Sequence, residues 1–188
     1  MSTVADVVTL ALRQARVLGI GREPRASESA AGLQAYQAML DLWVDNGMFG
    51  TLTNVYKTAN YTAEEGERVF SPSAITVTFP TSLDDNENGG TRAPRDLAII
   101  ETVLNGTRVV KLYDRIGWVD LLGLTLATDP APLSARGATG LAACVAQTYA
   151  EMFGARLGPN TQMLARKFQG SIMRKFGTDR PKAAVTFY

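Results

Sequence analysis

Asp84, Asn86, Asn88 and Gly89, in the stretch DDNENGG, match the first half of a calcium loop of the EF-hand kind, which collects oxygen ligands at alternate positions. The twelfth position of such a loop is a bidentate glutamate. Here it is Arg95, with Pro94 before it, so a solvated turn is the expected reading. Glu64, Glu65 and Glu67 raise glycoside hydrolysis, which sets two carboxylates on opposite sides of a scissile bond. Three acids within four residues of a Gly-containing loop give no opposed walls and read as a charged loop tip. Cys144, the only cysteine, falls on an apolar face and reads as a small core residue. With no histidine in the chain, Ser-His-Asp and Cys-His catalysis and His-based zinc sites are excluded. Neither a Walker loop nor a G-x-G-x-x-G opens a helix. The sequence therefore assigns no catalytic, cofactor or metal residue, and a non-enzyme is expected.

The remaining chemistry is positive charge. Arg166-Lys167 and Arg174-Lys175 flank an apolar stripe near the C-terminus. The net charge of +1 is unevenly spread: residues 1–50 carry four basic and five acidic side chains, residues 51–133 seven and eleven, and residues 134–188 eight and two. The sums are −1, −4 and +6. A +6 segment suits an anionic or acidic partner. No aromatic stacking platform accompanies it, so sequence-specific DNA reading is not expected.

The elements that must position these residues are legible from periodicity. Thr3 and Asp6 are spaced as a capping box, and Val4, Val7, Val8, Ala11, Ala15 and Leu18 recur at helical spacing. Ser27 is the expected cap of a second helix with the stripe Leu33, Tyr36, Leu40, Trp43 and Val44, stopping at Asn46-Gly47. TLTNVYK, AITVTF, DLAIIETVL and TRVVKLY then read as strands, with Asn105-Gly106 as a type I′ hairpin turn. Ser134 is the expected cap of a third helix, rich in Ala, Gly and Thr, that buries Leu141, Cys144, Val145, Tyr149 and Met152 and ends at Gly158-Pro159. Asn160 caps a fourth, with Leu164, Phe168, Ile172 and Phe176 inward. The expected fold is α+β: a four-helix bundle core of two helix pairs (1–50 and 134–177), a β-rich insertion between helices 2 and 3 (51–133), and an extended C-terminal tail (178–188). Pro181 keeps Arg180 out of helix, and in extended chain Val185 and Phe187 share a face. One cysteine, no basic leader ahead of an apolar run and no span of about 18 apolar residues point to a protein made in a reducing cytoplasm, with no membrane partner.

AMLDLWVDNGMFGT after ALRQARVLGI, then PRDLAIIETVLNGTRVVKLYD, GWVDLLGLTLATDPAPLS and GLAACVAQTYAEMFG, resemble the head-to-tail adaptor proteins of tailed bacteriophages, of the packaged-DNA-stabilisation or tail-tubular-A type. The resemblance covers most of the chain. It implies a virion protein of the head–tail junction that forms a cyclic homo-oligomer, typically of twelve copies. Such a ring binds the portal protein, continues the DNA channel and gives a tail component (tube or nozzle) its attachment site. It further implies that the C-terminal segment docks on the portal, through Arg174, Lys175, Arg180, Lys182, Val185, Phe187 and Tyr188, and that Arg166 and Lys167 face packaged DNA without sequence preference. A second reading of the same basic segment is a small nucleic-acid-binding protein. A third, a phage-associated cell-wall hydrolase, requires turnover of peptidoglycan.

Overall fold

The computed structural model describes residues 2–19, 21–80, 97–114, 117–125 and 129–177, without the side chains of Leu97 and residues 175–177. The calcium-like stretch and the tail 178–188 lie outside the described residues.

Helix α1 (Val4–Gln14) starts on its expected capping box: the Asp6 amide donates to Thr3 Oγ1 and the Thr3 amide to the Asp6 carboxylate, at 3.2 and 2.9 Å. The Thr3 amide, and after it the Thr3 hydroxyl, stabilise the Asp6 carboxylate and hold it below the usual carboxylate range. Helix α2 (Ala26–Asp45) is capped from another residue than expected. Glu28, not Ser27, closes its first turn by accepting from the Arg25 amide (2.8 Å) and pairing with Arg22. The carboxylate satisfies a free N–H and also meets the positive end of the helix dipole, which a hydroxyl does only weakly.

Among the described residues seven strands follow: β1 (Thr53–Tyr56), β2 (Tyr61–Thr62), β3 (Glu67–Ser71), β4 (Val77–Thr78), β5 (Leu97–Leu104), β6 (Thr107–Asp114) and β7 (Trp118–Asp120). Five of them form a mixed sheet in the order β1-β3-β5-β6-β7, with β1, β3 and β5 parallel and the rest antiparallel. The β5–β6 hairpin turns as expected, Asn105 and Gly106 both having positive φ (46° and 77°). Of AITVTF only Val77–Thr78 is strand, and it pairs with β2 in a separate two-stranded sheet. Strand β3 carries no clean apolar alternation and escapes a sequence reading, although it lies inside the sheet between β1 and β5.

A single 3-10 turn (Ser134–Arg136) precedes α3 (Ala138–Phe153), so Ser134 does not cap that helix directly. Helix α3 stops at Gly154 in the left-handed conformation, ahead of the expected Gly158-Pro159, which instead opens α4 (Pro159–Gly177). Proline suits a first helical position because its missing N–H would be unpaired there anyway.

The expected four-helix bundle is not formed. Helix α3 is the hub, packing on α1, α2 and α4, and α4 leans on α3 with a lighter contact to β5. The remaining side of the core is sheet: Ile99, Val110 and Leu112 join Val4, Leu12, Tyr36, Met39 and Leu141 in one cluster. Apolar periodicity fixes which face of a helix must be covered, not what covers it. The other face of the sheet buries Val69 and Ile100 with Ala63, under Tyr61, Val77, Phe79 and Trp118. Helices, five-stranded sheet and two-stranded sheet thus stack in that order. Close approach of α4 to α3 depends on Gly140, where a Cβ would sit 2.8–3.0 Å from Phe168.

Candidate interaction surfaces

Helix α4 is amphipathic in an unequal way. Ala165, Phe168 and Ile172 are buried on α3, while Met163 and Met173 are about half exposed. Leu164 faces outward rather than inward, as does Met152 on α3. The helix carries no acidic residue. Arg166, Lys167 and Arg174 are all exposed; Lys175 and Phe176 have no described side chains, and Arg180, Lys182, Val185, Phe187 and Tyr188 lie outside the described residues. Sequence neighbours on a helix point about 100° apart, so Arg166 and Lys167 do not act as a pair. Arg166 lines a cleft of about 340 Å³ with Gln147, Glu151, Leu157 and Gln162. Lys167 falls instead on the outward stripe with Met163 and Arg174, the two cations seven residues and about 10.5 Å apart.

Residues with catalytic chemistry are held in structural roles. The Glu67 carboxylate accepts from the Glu64 amide (2.8 Å) and the Tyr61 hydroxyl (3.0 Å), which closes the turn into β3 rather than opposing a second acid across a cleft. Cys144 is buried between α3 and α4 with its Sγ 3.5 Å from the Ala165 carbonyl oxygen, and burial pushes its thiol up to about 12. A thiol in that state is not a nucleophile at neutral pH. Among the described residues no group of three or more Asp, Glu, Cys or His converges as metal ligands.

A charge network missed at the sequence level ties the sheet to α2. Glu101, in the middle of β5, is 2% exposed and accepts from Arg68 Nε of β3 and Arg108 Nε of β6, each at 2.7 Å. The two Nη atoms of Arg108 reach Asp41 and Asp45 of α2, both at 2.9 Å. Burial works against the Arg108 charge, but Glu101, with Asp45 and Asp41, outweighs it and raises the guanidinium pKa. The signal for this network was an isolated Glu inside the otherwise apolar run LAIIETVL: a charge in such a strand must be paired. A second pair, Arg136 with Asp114 at 3.2 Å, is buried where the 3-10 turn meets the end of β6.

No protein-family model matches this chain, and no curated protein matches its sequence. Seven large apolar side chains are exposed among the described residues: Leu42, Tyr56, Met152, Phe153, Met163, Leu164 and Met173. Five of them gather on the α3–α4 pair, with Glu151, Arg156, Arg166, Lys167 and Arg174 alongside; the other two, Leu42 and Tyr56, are on α2 and β1. Apolar anchors flanked by charge are the composition of macromolecular contact surfaces rather than of small-molecule pockets.

Proposed function

We propose that this chain is a non-enzymatic structural protein of the head–tail junction of a tailed bacteriophage, an adaptor that forms a ring on the portal, continues the DNA channel and receives a tail component. The observation that carries the reading is α4, a helix with one face buried on α3 and the other a line of Met, Lys and Arg without an acid. Such a face suits an anionic or acidic neighbour of large area, which DNA phosphates and an acidic portal rim both provide. In this reading Arg174, Lys175 and the tail contact the portal, and Lys167, earlier on the same stripe, turns toward DNA, whereas Arg166 points into the cleft beside α3. The sequence resemblance supplies the kind of assembly.

The test is to mix the purified protein with its cognate portal and image the product. A ring added coaxially to the portal is expected, and truncation after Gly177 should abolish it while leaving the monomer folded. A portal left bare by the full-length chain would overturn the adaptor reading.

Lys167 and Arg174 on one stripe also favour a second reading, a small protein that binds nucleic acid through phosphates. In that case the isolated monomer binds free duplex, and its affinity falls steeply with salt, by a slope of roughly one per phosphate contacted. Duplex binding that does not change between low and high salt would sink it.

A further inference from the structure

Strand β7 is an edge of the five-stranded sheet, and its register with β6 fixes which of its main-chain groups are used. The Leu121 amide donates to the Val110 carbonyl oxygen (2.9 Å) and the Asp114 amide to the Gly117 carbonyl oxygen (3.2 Å). With Val119 opposite Leu112, the main-chain groups of residues 117, 119 and 121 therefore point at β6. Those of Trp118 and Asp120 point the other way, and no other residue bonds to them. A free row of N–H and C=O groups is a template for pairing with another extended chain.

That edge lies in a cleft of about 310 Å³, lined by Trp118, Val119 and Asp120 of the strand and by Leu122, Leu124 and Asp129 of the segment that follows it. In a strand Trp118 and Asp120 point to one face and Val119 to the other. Accordingly Trp118 packs with Val69 and Ile100, and Val119 with the helices. A cleft that touches all three runs along the edge rather than over a face. Trp118 and Asp120 stand about 6.8 Å apart along the strand, the repeat at which an added strand presents its own pairing groups. The indole wall is preset, because Trp118 Nε1 donates to the Pro80 carbonyl oxygen (2.7 Å). The charged residues lining the cleft are both acidic. Asp120 uses only Oδ1, on Lys111, and Asp129 only Oδ2, on the Thr125 amide and hydroxyl, so each keeps one oxygen for an incoming donor.

We propose that the β7 edge is a docking site for an extended segment of a partner protein, one carrying lysine or arginine, which joins the sheet as a further strand through the main-chain groups of Trp118 and Asp120. In this mode of recognition main-chain bonds give the affinity and the flanking side chains choose the segment. A cation on the segment meets the free oxygens of Asp120 and Asp129, and its apolar neighbours meet Trp118, Leu122 and Leu124. The inference rests on the adaptor reading above for the partner alone. That partner is the tail component, because the cations of α4 suit an acidic or anionic neighbour and a cationic one needs another place.

The experiment follows main-chain amide exchange by NMR on the full-length chain, with an acetylated and amidated hexapeptide of alternating lysine and valine as the probe. In the free protein the Trp118 and Asp120 amides should exchange faster than those of Val119 and Leu121. The probe should slow Trp118 and Asp120 by about tenfold once nine-tenths of the protein is bound, since only the open form exchanges. The same peptide with glutamate for lysine should bind more weakly, and the lysine peptide with every amide N-methylated should give no protection. Asp120→Pro removes an outward N–H and leaves the bonds to β6 in place, so it should stay folded and lose the probe. Asp120→Asn keeps that N–H and should bind with less preference for lysine. Unchanged exchange at Trp118 and Asp120 overturns the inference, as does full binding by the Asp120→Pro variant or of the N-methylated peptide. Protection of both amides in the free chain, released by truncation after Gly177, would seat the chain's own tail on the edge and overturns it too. The assay contains neither portal nor tail component, so the edge can fail while portal capping succeeds, and the reverse.

Discussion

Glu101 is the residue on which the joint between sheet and helices turns. It is a buried carboxylate held by two guanidiniums, one of which carries the connection on to α2. Removing one member of such a set strands the others without a partner, which costs about 3–5 kcal/mol. Glu101→Ala is therefore expected to lower the unfolding free energy by about that amount in urea denaturation. Asp120→Ala breaks a more exposed pair with Lys111 and should cost less than about 1 kcal/mol. Equal effects from the two substitutions would contradict the account of the network. At this scale the sequence was informative where the chemistry is local. The Thr3–Asp6 box and the Asn105-Gly106 turn are each specified by residues a few positions apart. The partners of Glu101 come from β3, β6 and α2, which only the assembled sheet brings together.

Among the elements, α3 and α4 show most clearly what periodicity does and does not say. Leu141 to Ala146 are six consecutive buried residues, which means that α3 is covered on all sides. The small side chains noted in its sequence are what lets α4 sit close, through Gly140 against Phe168 and Cys144 against Ala165. Gly140→Ala would place a methyl group 2.8 Å from the Phe168 ring and 2.9 Å from its Cβ, atoms near the root of the side chain that move only with the backbone. The gain in helix propensity, at most about 1 kcal/mol, is outweighed by overpacking of about 1–3 kcal/mol. The variant should be less stable, and its Cys144 should react faster with a thiol reagent at mildly alkaline pH, because the strained α4 opens more often. Unchanged labelling would mean that Cys144 is not sealed by α4. The strands were less legible: β3 and β7 are short and do not alternate cleanly, and their place follows from pairing with β5 and β6 rather than from their own composition.

For the whole molecule, the exposed large apolar side chains among the described residues are few, five of them on the α3–α4 pair and the other two on α2 and β1. Stable subunit interfaces bury roughly 1,200–2,000 Å², more than two or three half-exposed side chains provide on each side. The isolated protein should therefore sediment as a monomer at micromolar concentration, with weak concentration-dependent association; under the proposed adaptor function it closes into a ring only when a portal holds many copies side by side. A stable closed ring without a portal would be incompatible with patches of this size. The −1, −4, +6 charge division read from the sequence survives as a division of surfaces only in part. Arg68 and Arg108 of the acidic middle segment and Asp41 and Asp45 of the first segment neutralise one another in the network around Glu101.

The chain also closes on its own beginning. The Val4 amide donates to the Asp129 carbonyl oxygen (3.0 Å), the Ala131 amide to the Ser2 carbonyl oxygen (3.0 Å), and Gln14 Nε2 to the Thr139 carbonyl oxygen across 125 positions of sequence. On a ribosome adding roughly 5–20 residues per second, α1 therefore waits about 6–25 s for the helix that finishes covering Val4, Val8 and Leu12. During synthesis only α2 is there to shield that apolar face. Nascent chains stalled before residue 129 should accordingly be the species that ribosome-associated chaperones hold, with release following emergence of α3.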